Sequence, residues 1–312
     1  MSGIPKPYGM VRRAMAASKM EGLSVIVPNF NKGPFLDDAI RSVLADPRPD
    51  LELVLVDDGS TDSSLAVAEG WARSDGRLKV VRHGGNRGLS AALNTGIGSA
   101  TKGLLTFMGS DDLFAPERVQ RLIDQLPDFS WPSVIYSDPI YIEKDTRAVA
   151  AAVSKALMRP SGTILKYLLR GGYKFVGGPI AAPRACFEAA GRFDESLTWG
   201  GDFDMALRLS EKFPFVFDAL STYGYRIYDG NVIRTVRKRD RWSQQGRILE
   251  RHLIGNYGSL DEETRRLGFR YLFSCFVASG RWGGILRYGL TREAGFRAMV
   301  GLPLRAGRKA PA

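Results

Sequence analysis

From residue 22 onward the chain alternates between short, mostly apolar runs and amphipathic stretches with helical spacing. Leu23–Val27, Leu51–Val56, Leu78–Arg82 and Leu104–Met108 read as strands. Apolar runs this short, bounded by turn residues, suit strands covered on both faces. Between the first two, Phe35, Leu36, Ala39, Ile40, Val43 and Leu44 recur at helical intervals, and Pro47 and Pro49 close that helix. Ser60 to Asp62 supply N-cap residues for a second helix reaching Arg73, Ser90–Ile97 predicts a third, and Pro116 sits in the first turn of a fourth that runs to Leu126. Strands and helices in strict alternation predict βαβ units, and hence an α/β fold with a doubly wound, mainly parallel sheet flanked by helices.

Past this point the pattern changes. Val134–Glu143 reads as two short strands around Asp138-Pro139, glycine loops follow at Gly171-Gly172 and Gly177-Gly178-Pro179, and Asp202–Lys212 reads as a helix. Residues 1–21 are polar and basic and predict a flexible arm. Beyond Arg234 the chain is helical, basic and interrupted by glycine. The expected organisation is therefore an arm (1–21), an α/β domain (22–233) and a basic helical C-terminal extension (234–312).

Charge sharpens this division. The net charge of +11 lies wholly in residues 234–312, which carry 17 Lys and Arg against 6 Asp and Glu, while residues 1–233 balance 27 against 27. A basic tail behind a neutral body suggests an anionic partner. Trp282, Ile285, Leu286 and Leu290, then Phe296, Met299 and Val300, fall at helical offsets among arginines. That pattern fits an interfacial helix on an anionic membrane, or a face that packs on the α/β domain or a partner subunit. Nucleic acid is not an expected partner, because the body carries no basic stripe and no recognisable nucleic-acid fold. No apolar run approaches membrane-spanning length, and the N-terminus lacks an apolar signal core. Cys186 and Cys275 stand in apolar settings and read as two buried thiols, so a cytoplasmic location is expected. His83 and His252 stand outside any motif and read as surface residues.

The chemistry concentrates in two acidic clusters, each placed just after a predicted strand: Asp57-Asp58-Gly59-Ser60 and Gly109-Ser110-Asp111-Asp112. The carboxyl ends of strands in open α/β sheets are where ligands sit. Pro28 ends the first strand with no N–H to give, which leaves a gap in which a nucleobase can lie, with Asp57-Asp58 across from it. The same Asp-Asp-Gly-Ser string also satisfies a plain turn and N-cap. Asp111 and Asp112 have little positive charge nearby, and adjacent carboxylates with substrate phosphates suit Mg²⁺ or Mn²⁺.

Taken in order, Ser24–Phe35, Leu53–Asp62, Asn86–Asn94 and Phe107–Pro116 resemble the successive motifs of family-two glycosyltransferases. Phe193-Asp194-Glu195-Ser196-Leu197 with Gly201-Asp202-Phe203-Asp204 resembles their acceptor-side motif. The resemblance spans roughly residues 22–230. It implies a GT-A fold and inverting transfer of a sugar from a nucleotide-diphosphate sugar, UDP favoured, to a hydroxyl of a glycan or lipid-linked acceptor in cell-surface polysaccharide synthesis. It places Pro28, Asn29, Phe30, Asp57, Asp58 and Arg87 on the nucleotide-sugar and Asp111 and Asp112 at the metal-diphosphate position. It makes Asp202 the general base and puts Trp199 and Gly201 on the acceptor side, where Gly177 and Gly178, which allow close backbone approach, form either the floor of the acceptor pocket or a plain tight loop.

Three departures bear on these roles. Gly109 replaces the first Asp of the Asp-x-Asp motif, Gly201 replaces the Glu before the base, and Tyr228 stands where relatives carry a metal-ligating His. A phenol, ionising near pH 10, is a poor ligand for Mg²⁺ or Mn²⁺. Two outcomes follow for the divalent cation: weak binding through Asp111 and Asp112, or partial replacement by a basic side chain, with Arg87 and Arg226 as candidates. The departures also leave open a non-catalytic GT-A domain that binds nucleotide or glycan and scaffolds a partner enzyme.

Overall fold

The computed structural model describes residues 22–125, 132–153, 159–172, 180–231, 236–281 and 283. These fall into two compact units, one within Met1–Ile164 and Phe175–Asp229, the other within Leu165–Lys174 and Gly230–Ala312. The second unit thus takes in Leu165–Lys174, a segment that the sequence pattern counts within 22–233. The arm 1–21, Gly177 and Gly178, and the apolar series from Trp282 to Val300 lie outside the described residues.

The first unit is built on β1 (Leu23–Asn29), α1 (Gly33–Leu44), β2 (Leu51–Asp57), α2 (Ser64–Ser74), β3 (Leu78–Arg82), α3 (Leu89–Ser99) and β4 (Leu104–Phe107). It continues through β5 (Leu113–Phe114), α4 (Arg118–Asp124), β6 (Val134–Ser137), β7 (Ile140–Glu143) and β8 (Ala152–Val153). In the second unit comes α5 (Leu165–Leu169), after which the first resumes with β9 (Ala181–Pro183), α6 (Arg184–Ala190), α7 (Gly201–Ser210), β10 (Phe215–Asp218), β11 (Leu220–Ser221) and β12 (Tyr223–Ile227). Its main sheet runs β10-β6-β9-β4-β1-β2-β3. The pairings β4-β1, β1-β2, β2-β3 and β10-β6 are parallel, and only β9 runs against its neighbours. The expected mainly parallel α/β sheet is therefore present, with helices supplying the buried leucines and valines that cover it. Leu36, Ala39, Ile40 and Val43 of α1 pack into the same core as Val25, Val27, Leu53 and Leu55. A smaller sheet, β5-β12-β7, lies beside it.

Pro28 shows why the sequence tolerates a proline in a central strand. β4 pairs with β1 only as far as Ile26, whose carbonyl receives Met108 N at 3.0 Å. On the other side, Asn29 O receives Asp58 N at 2.8 Å. Alternation of backbone direction aims the Pro28 nitrogen toward β4, past the point where that ladder has ended. The strand stays paired to β2 through Asn29 and opens on one side at Pro28.

The second unit packs α5 against α8 (Lys238–Gly255) and α9 (Glu262–Ser279). Asp261 caps α9 by accepting from Thr264 N at 2.7 Å, and Gly280, at φ 68°, ends it. Small residues let the helices meet: a Cβ on Gly268 would lie 2.5 Å from a Leu253 methyl. Cys186 in the first unit and Cys275 in the second are buried free thiols. Among the described residues no helix is long and apolar enough to cross a membrane.

Close approach also sets the seat of α3 on β1. A Cβ on Gly96 would fall 2.3 Å from Ile26 Cγ2, whereas one on Gly98 would meet nothing within 4 Å. Gly96→Ala is expected to destabilise the protein by about 1–3 kcal/mol through overpacking. Gly98→Ala is expected to stabilise it by about 0.5 kcal/mol through reduced freedom of the unfolded chain. Urea denaturation of the two variants measures both signs.

Candidate active site

Four loops leave the carboxyl ends of the adjacent strands β4, β1, β2 and β3, and buried carboxylates stitch the last three together and tie the first to β12. Asp57 and Asp58 are 0% and 3% exposed, so each needs donors. Asp57 Oδ1 accepts from Asn29 Nδ2 at 3.0 Å and its Oδ2 from Ser60 N at 3.1 Å. Asp58 Oδ1 accepts from His83 Nδ1 at 2.6 Å and Arg87 N at 2.9 Å, and its Oδ2 from Gly88 N at 2.8 Å. The pair thus holds the turn after β1 and the loop after β3 on either side of its own turn. Gly59, at φ 77°, has no room for a side chain, because a Cβ would lie 2.6 Å from the Gly85 backbone.

His83 is accordingly no surface residue, and neither is His252: they are 6% and 5% exposed. His83 bridges Asp58 to Thr95 Oγ1, 2.9 Å from its Nε2. Asn31, at φ 53°, completes the stitching, since its Oδ1 accepts from Thr61 N at 2.8 Å. Asparagine tolerates this left-handed conformation better than other non-glycine residues. At the mouth of these loops Pro28 is half-buried and Phe30 is exposed. Asn29 Oδ1, buried between them, has no hydrogen-bond partner.

The second acidic cluster separates into two unlike carboxylates. Asp112 is buried, accepting from Tyr223 OH at 2.5 Å and Arg226 N at 2.8 Å. Tyr223 OH in turn receives Gly109 N at 3.1 Å. Asp111 is more open, and its Oδ2 accepts from Tyr228 OH at 2.6 Å. Lys32 Nζ lies 3.3 Å from that oxygen and donates to the Tyr228 hydroxyl. The ring of Tyr228 packs on Phe35, which has left the α1 core face, with centroids 4.8 Å apart. Burial, and then the Asp111 carboxylate, pushes the Tyr228 phenol well above its ordinary value, so it stays a donor.

Arg226 is not available to a diphosphate. It is 1% exposed, and its guanidinium donates to the carbonyls of Asp111 at 2.6 Å and Thr146 at 2.7 Å, with Glu143 and Lys144 alongside. Arg87 is more than half exposed and reaches Glu195 at 4.0 Å.

These residues suit a divalent cation poorly. Both Asp112 oxygens are taken, and Asp111 Oδ2 is shared by a phenol and an ammonium. A dication about 5 Å from an ammonium is opposed by about 7 kcal/mol at an effective dielectric of about 20. Among the described residues no three His, Cys, Asp or Glu side chains gather as metal ligands would.

Asp202 opens α7, exposed, with Oδ1 accepting from Phe203 N at 2.8 Å. Asp204 is wholly buried and paired to Arg208 at 2.8 Å, so it points away. Tyr225 relates Asp202 to the acidic cluster: burial pushes its phenol up to about 12, with the charges of Asp112, Asp111 and Asp202 adding to the effect. Asn94 fixes the strand-like approach to α7, donating to Phe193 O at 3.0 Å and Glu195 Oε1 at 2.8 Å and accepting from Phe193 N at 2.8 Å. Gly201 sits against α3, where a Cβ would meet Ser90 Oγ at 3.1 Å. Trp199 is half-buried just before this helix.

Burial, and then the charge of Asp111, pushes Asp112 up to about 7 from an ordinary 3.8. Its native state therefore holds a proton more tightly than its unfolded state. The resulting stabilisation is full below about pH 4 and is lost as pH rises through about 7. Chemical denaturation is expected to show stability falling by a few kcal/mol, to order of magnitude, between about pH 4.5 and 7.5. Asp112→Asn is expected to flatten that slope.

Comparison with known proteins places this geometry. Residues 24–172 match the family described as Glycosyl transferase family 2. Glycosyltransferase GlyG of Streptococcus pneumoniae is 27% identical over 228 residues, covering 69% of this chain and 74% of GlyG. The succinoglycan biosynthesis protein ExoU of Rhizobium meliloti is 30% identical over 201 residues, 62% of this chain and 58% of ExoU. Glycosyltransferase EpsJ of Bacillus subtilis is 40% identical over 103 residues, and there the match spans 33% of this chain and 30% of EpsJ. The fold matches that of S. aureus TarS 1–349 crystallised with UDP-GlcNAc, with a TM-score of 0.63 and 18% identity over 89% of this chain and 79% of that one. Residues 24–172, which begin in β1 and span both acidic turns, thus match the family 2 glycosyltransferases, and the mainly parallel sheet that continues to β10 has the GT-A fold of TarS.

Proposed function

We propose that the protein is an inverting glycosyltransferase that moves one sugar from a nucleotide-diphosphate sugar to a hydroxyl of a glycan or lipid-linked acceptor in polysaccharide synthesis. The observation that carries this reading is the exposed Asp202 carboxylate at the start of α7, which meets the start of α3 directly after the Arg87-Gly88 loop that Asp58 holds and so opens at the same sheet edge as Asp111 and Asp112. A base there and a diphosphate at Asp111 would stand on two sides of one reacting centre. In that arrangement the acceptor oxygen attacks the anomeric carbon and its proton passes to Asp202. The bond from that carbon to the phosphate oxygen breaks, and its electron pair leaves with the nucleotide diphosphate. The N-terminus of α7 favours an ionised carboxylate at Asp202, as a base requires.

The nucleoside would lie at the Pro28 gap against Phe30, with Asp57 and Asp58 holding the loops that frame it. The partnerless Asn29 Oδ1 supports this, since a base N–H is the kind of group that would satisfy it. UDP is the favoured nucleotide, in keeping with the UDP and UDP-GlcNAc complexes of TarS. Exposed Tyr141, edge-on to Tyr225 at 6.0 Å, offers an aromatic surface for the acceptor in addition to Trp199. The biosynthesis proteins ExoU and ExoO among the relatives favour a growing polysaccharide as that acceptor. A cytoplasmic enzyme held at an anionic membrane face by the basic residues of 234–312 is consistent with the charge asymmetry of the chain. Should a divalent cation take part, Asp111 would be its protein ligand, and the crowding of that carboxylate makes its affinity low.

Asp202→Asn keeps shape and removes the base. Transfer or hydrolysis by the full chain, assayed with a panel of nucleotide-sugars, is expected to fall by about 10²–10⁴ in kcat with donor affinity little changed. Equal turnover in the two proteins would remove Asp202 from the mechanism.

A further inference from the structure

A departing diphosphate needs positive charge, and the loop around Asp111 contains it. Lys32 enters α1 with its backbone N bonded to Ser64 Oγ at 3.1 Å, and its ammonium sits 5.0 Å from the centroid of the Tyr228 ring. That ring is wedged on Phe35, whose other neighbour is the Arg226 guanidinium, 5.0 Å from the Phe35 centroid. The ammonium is thus held 3.3 Å from Asp111 Oδ2, on a side chain still 18% exposed. On the other side of the acidic pair, a Cβ at Gly109 would lie 2.6 Å from Asp112 Oδ2 and 3.0 Å from Asp111 Oδ1. A further carboxylate at 109 has no room while this loop closes on Tyr223. The loop gives up one anionic ligand and gains a fixed cation.

We propose that the Lys32 ammonium binds the β-phosphate of the nucleotide diphosphate here, in the role a divalent cation would otherwise fill, with Asp111 and Tyr228 as the groups that hold it in place. This rests on the nucleotide-sugar reading above. The electron pair of the broken carbon–oxygen bond goes to the β-phosphate oxygen, the acceptor proton goes to Asp202, and the ammonium offsets the charge that builds on the leaving group. Lysine is suited to this as a compact point charge. Arg226 and Arg87 are less so, since Arg226 is committed to backbone carbonyls and Arg87 lies out beside Glu195.

The test is calorimetric binding of UDP against UMP, and of GDP against GMP, to the full chain at fixed ionic strength, first in EDTA and then with Mg²⁺ or Mn²⁺. For one nucleotide pair the diphosphate is expected to bind at least about tenfold more tightly than the monophosphate in EDTA, with the ratio moved less than about threefold by either metal. Lys32→Met is expected to bring the ratio near one and leave monophosphate affinity unchanged, which also reports that the variant is folded; Lys32→Arg is expected to retain most of the preference. A wild-type ratio near one in EDTA that rises only with metal would overturn the proposal, as would a preference that survives Lys32→Met. Both of those outcomes leave nucleotide binding intact. Failure of every nucleotide to bind would instead overturn the reading on which the proposal rests.

Discussion

Buried carboxylates at the carboxyl edge of a parallel sheet impose the constraint from which the site follows. Ionised or hydrogen-bonded, a carboxylate shut away from water must find donors or cost several kcal/mol. Asp57, Asp58 and Asp112 are all nearly inaccessible, and the donors they find lie on other loops. Asp57 takes Asn29, Asp58 takes His83 and the Arg87-Gly88 backbone, and Asp112 takes Tyr223 and the backbone of Arg226. Each bond ties one strand end to another. The edge of the sheet, the part of an α/β fold with least intrinsic order, becomes one connected network because acids placed there cannot be left unsatisfied.

That demand divides the acidic residues by task. Three are consumed in building the edge, and their oxygens face inward. Asp111 and Asp202 remain the more open, one beside a lysine and a phenol, the other at a helix start. A binding surface needs rigid walls and a few accessible groups, and here the same residue type supplies both, separated by burial alone. Asn94 and Ser90 extend the arrangement toward the acceptor side. They lie where the approach to α7 meets α3, so Asp202 is positioned by the same helix whose preceding loop Asp58 holds.

Much of this was legible in the chain. Alternating apolar runs located β1 to β4 and the helices between them to within a few residues, because parallel strands buried on both faces leave an unmistakable run of leucine and valine. Pro28 announced an opening in the ladder, and the acidic turns announced the edge. What could not be read was which side chains meet. His83 looked like an isolated surface histidine, since nothing in its neighbourhood signals that Asp58, on another strand, will bury it. Arg226 reads in sequence as a phosphate contact, but the fold surrounds its guanidinium with four backbone carbonyls. Lys32 carries no signal in the sequence, because its partners, Asp111 and Tyr228, lie far along the chain and converge only through sheet order β4-β1 and the β5-β12 pairing. Contacts of that kind are set by topology, which periodicity reports only in outline.

The departures at Gly109 and Tyr228 make physical sense as one change. Removing a carboxylate at 109 lets Asp112 fold inward onto Tyr223 and Arg226 N, the space a side chain there would fill being the space its carboxylate now occupies. With Asp112 withdrawn, Asp111 is left as a single outward charge, and a single carboxylate is matched by a monovalent ammonium better than by a dication that needs several oxygen ligands. A phenol at 228 serves that pairing through one oxygen, which donates to Asp111 while accepting from Lys32, and its ring packs on Phe35 with the lysine ammonium 5.0 Å from its centroid. Each replacement taken alone looks like the loss of a ligand. Taken together they keep the charge of the loop balanced, which is the condition under which acidic and basic groups can share a half-buried edge at all.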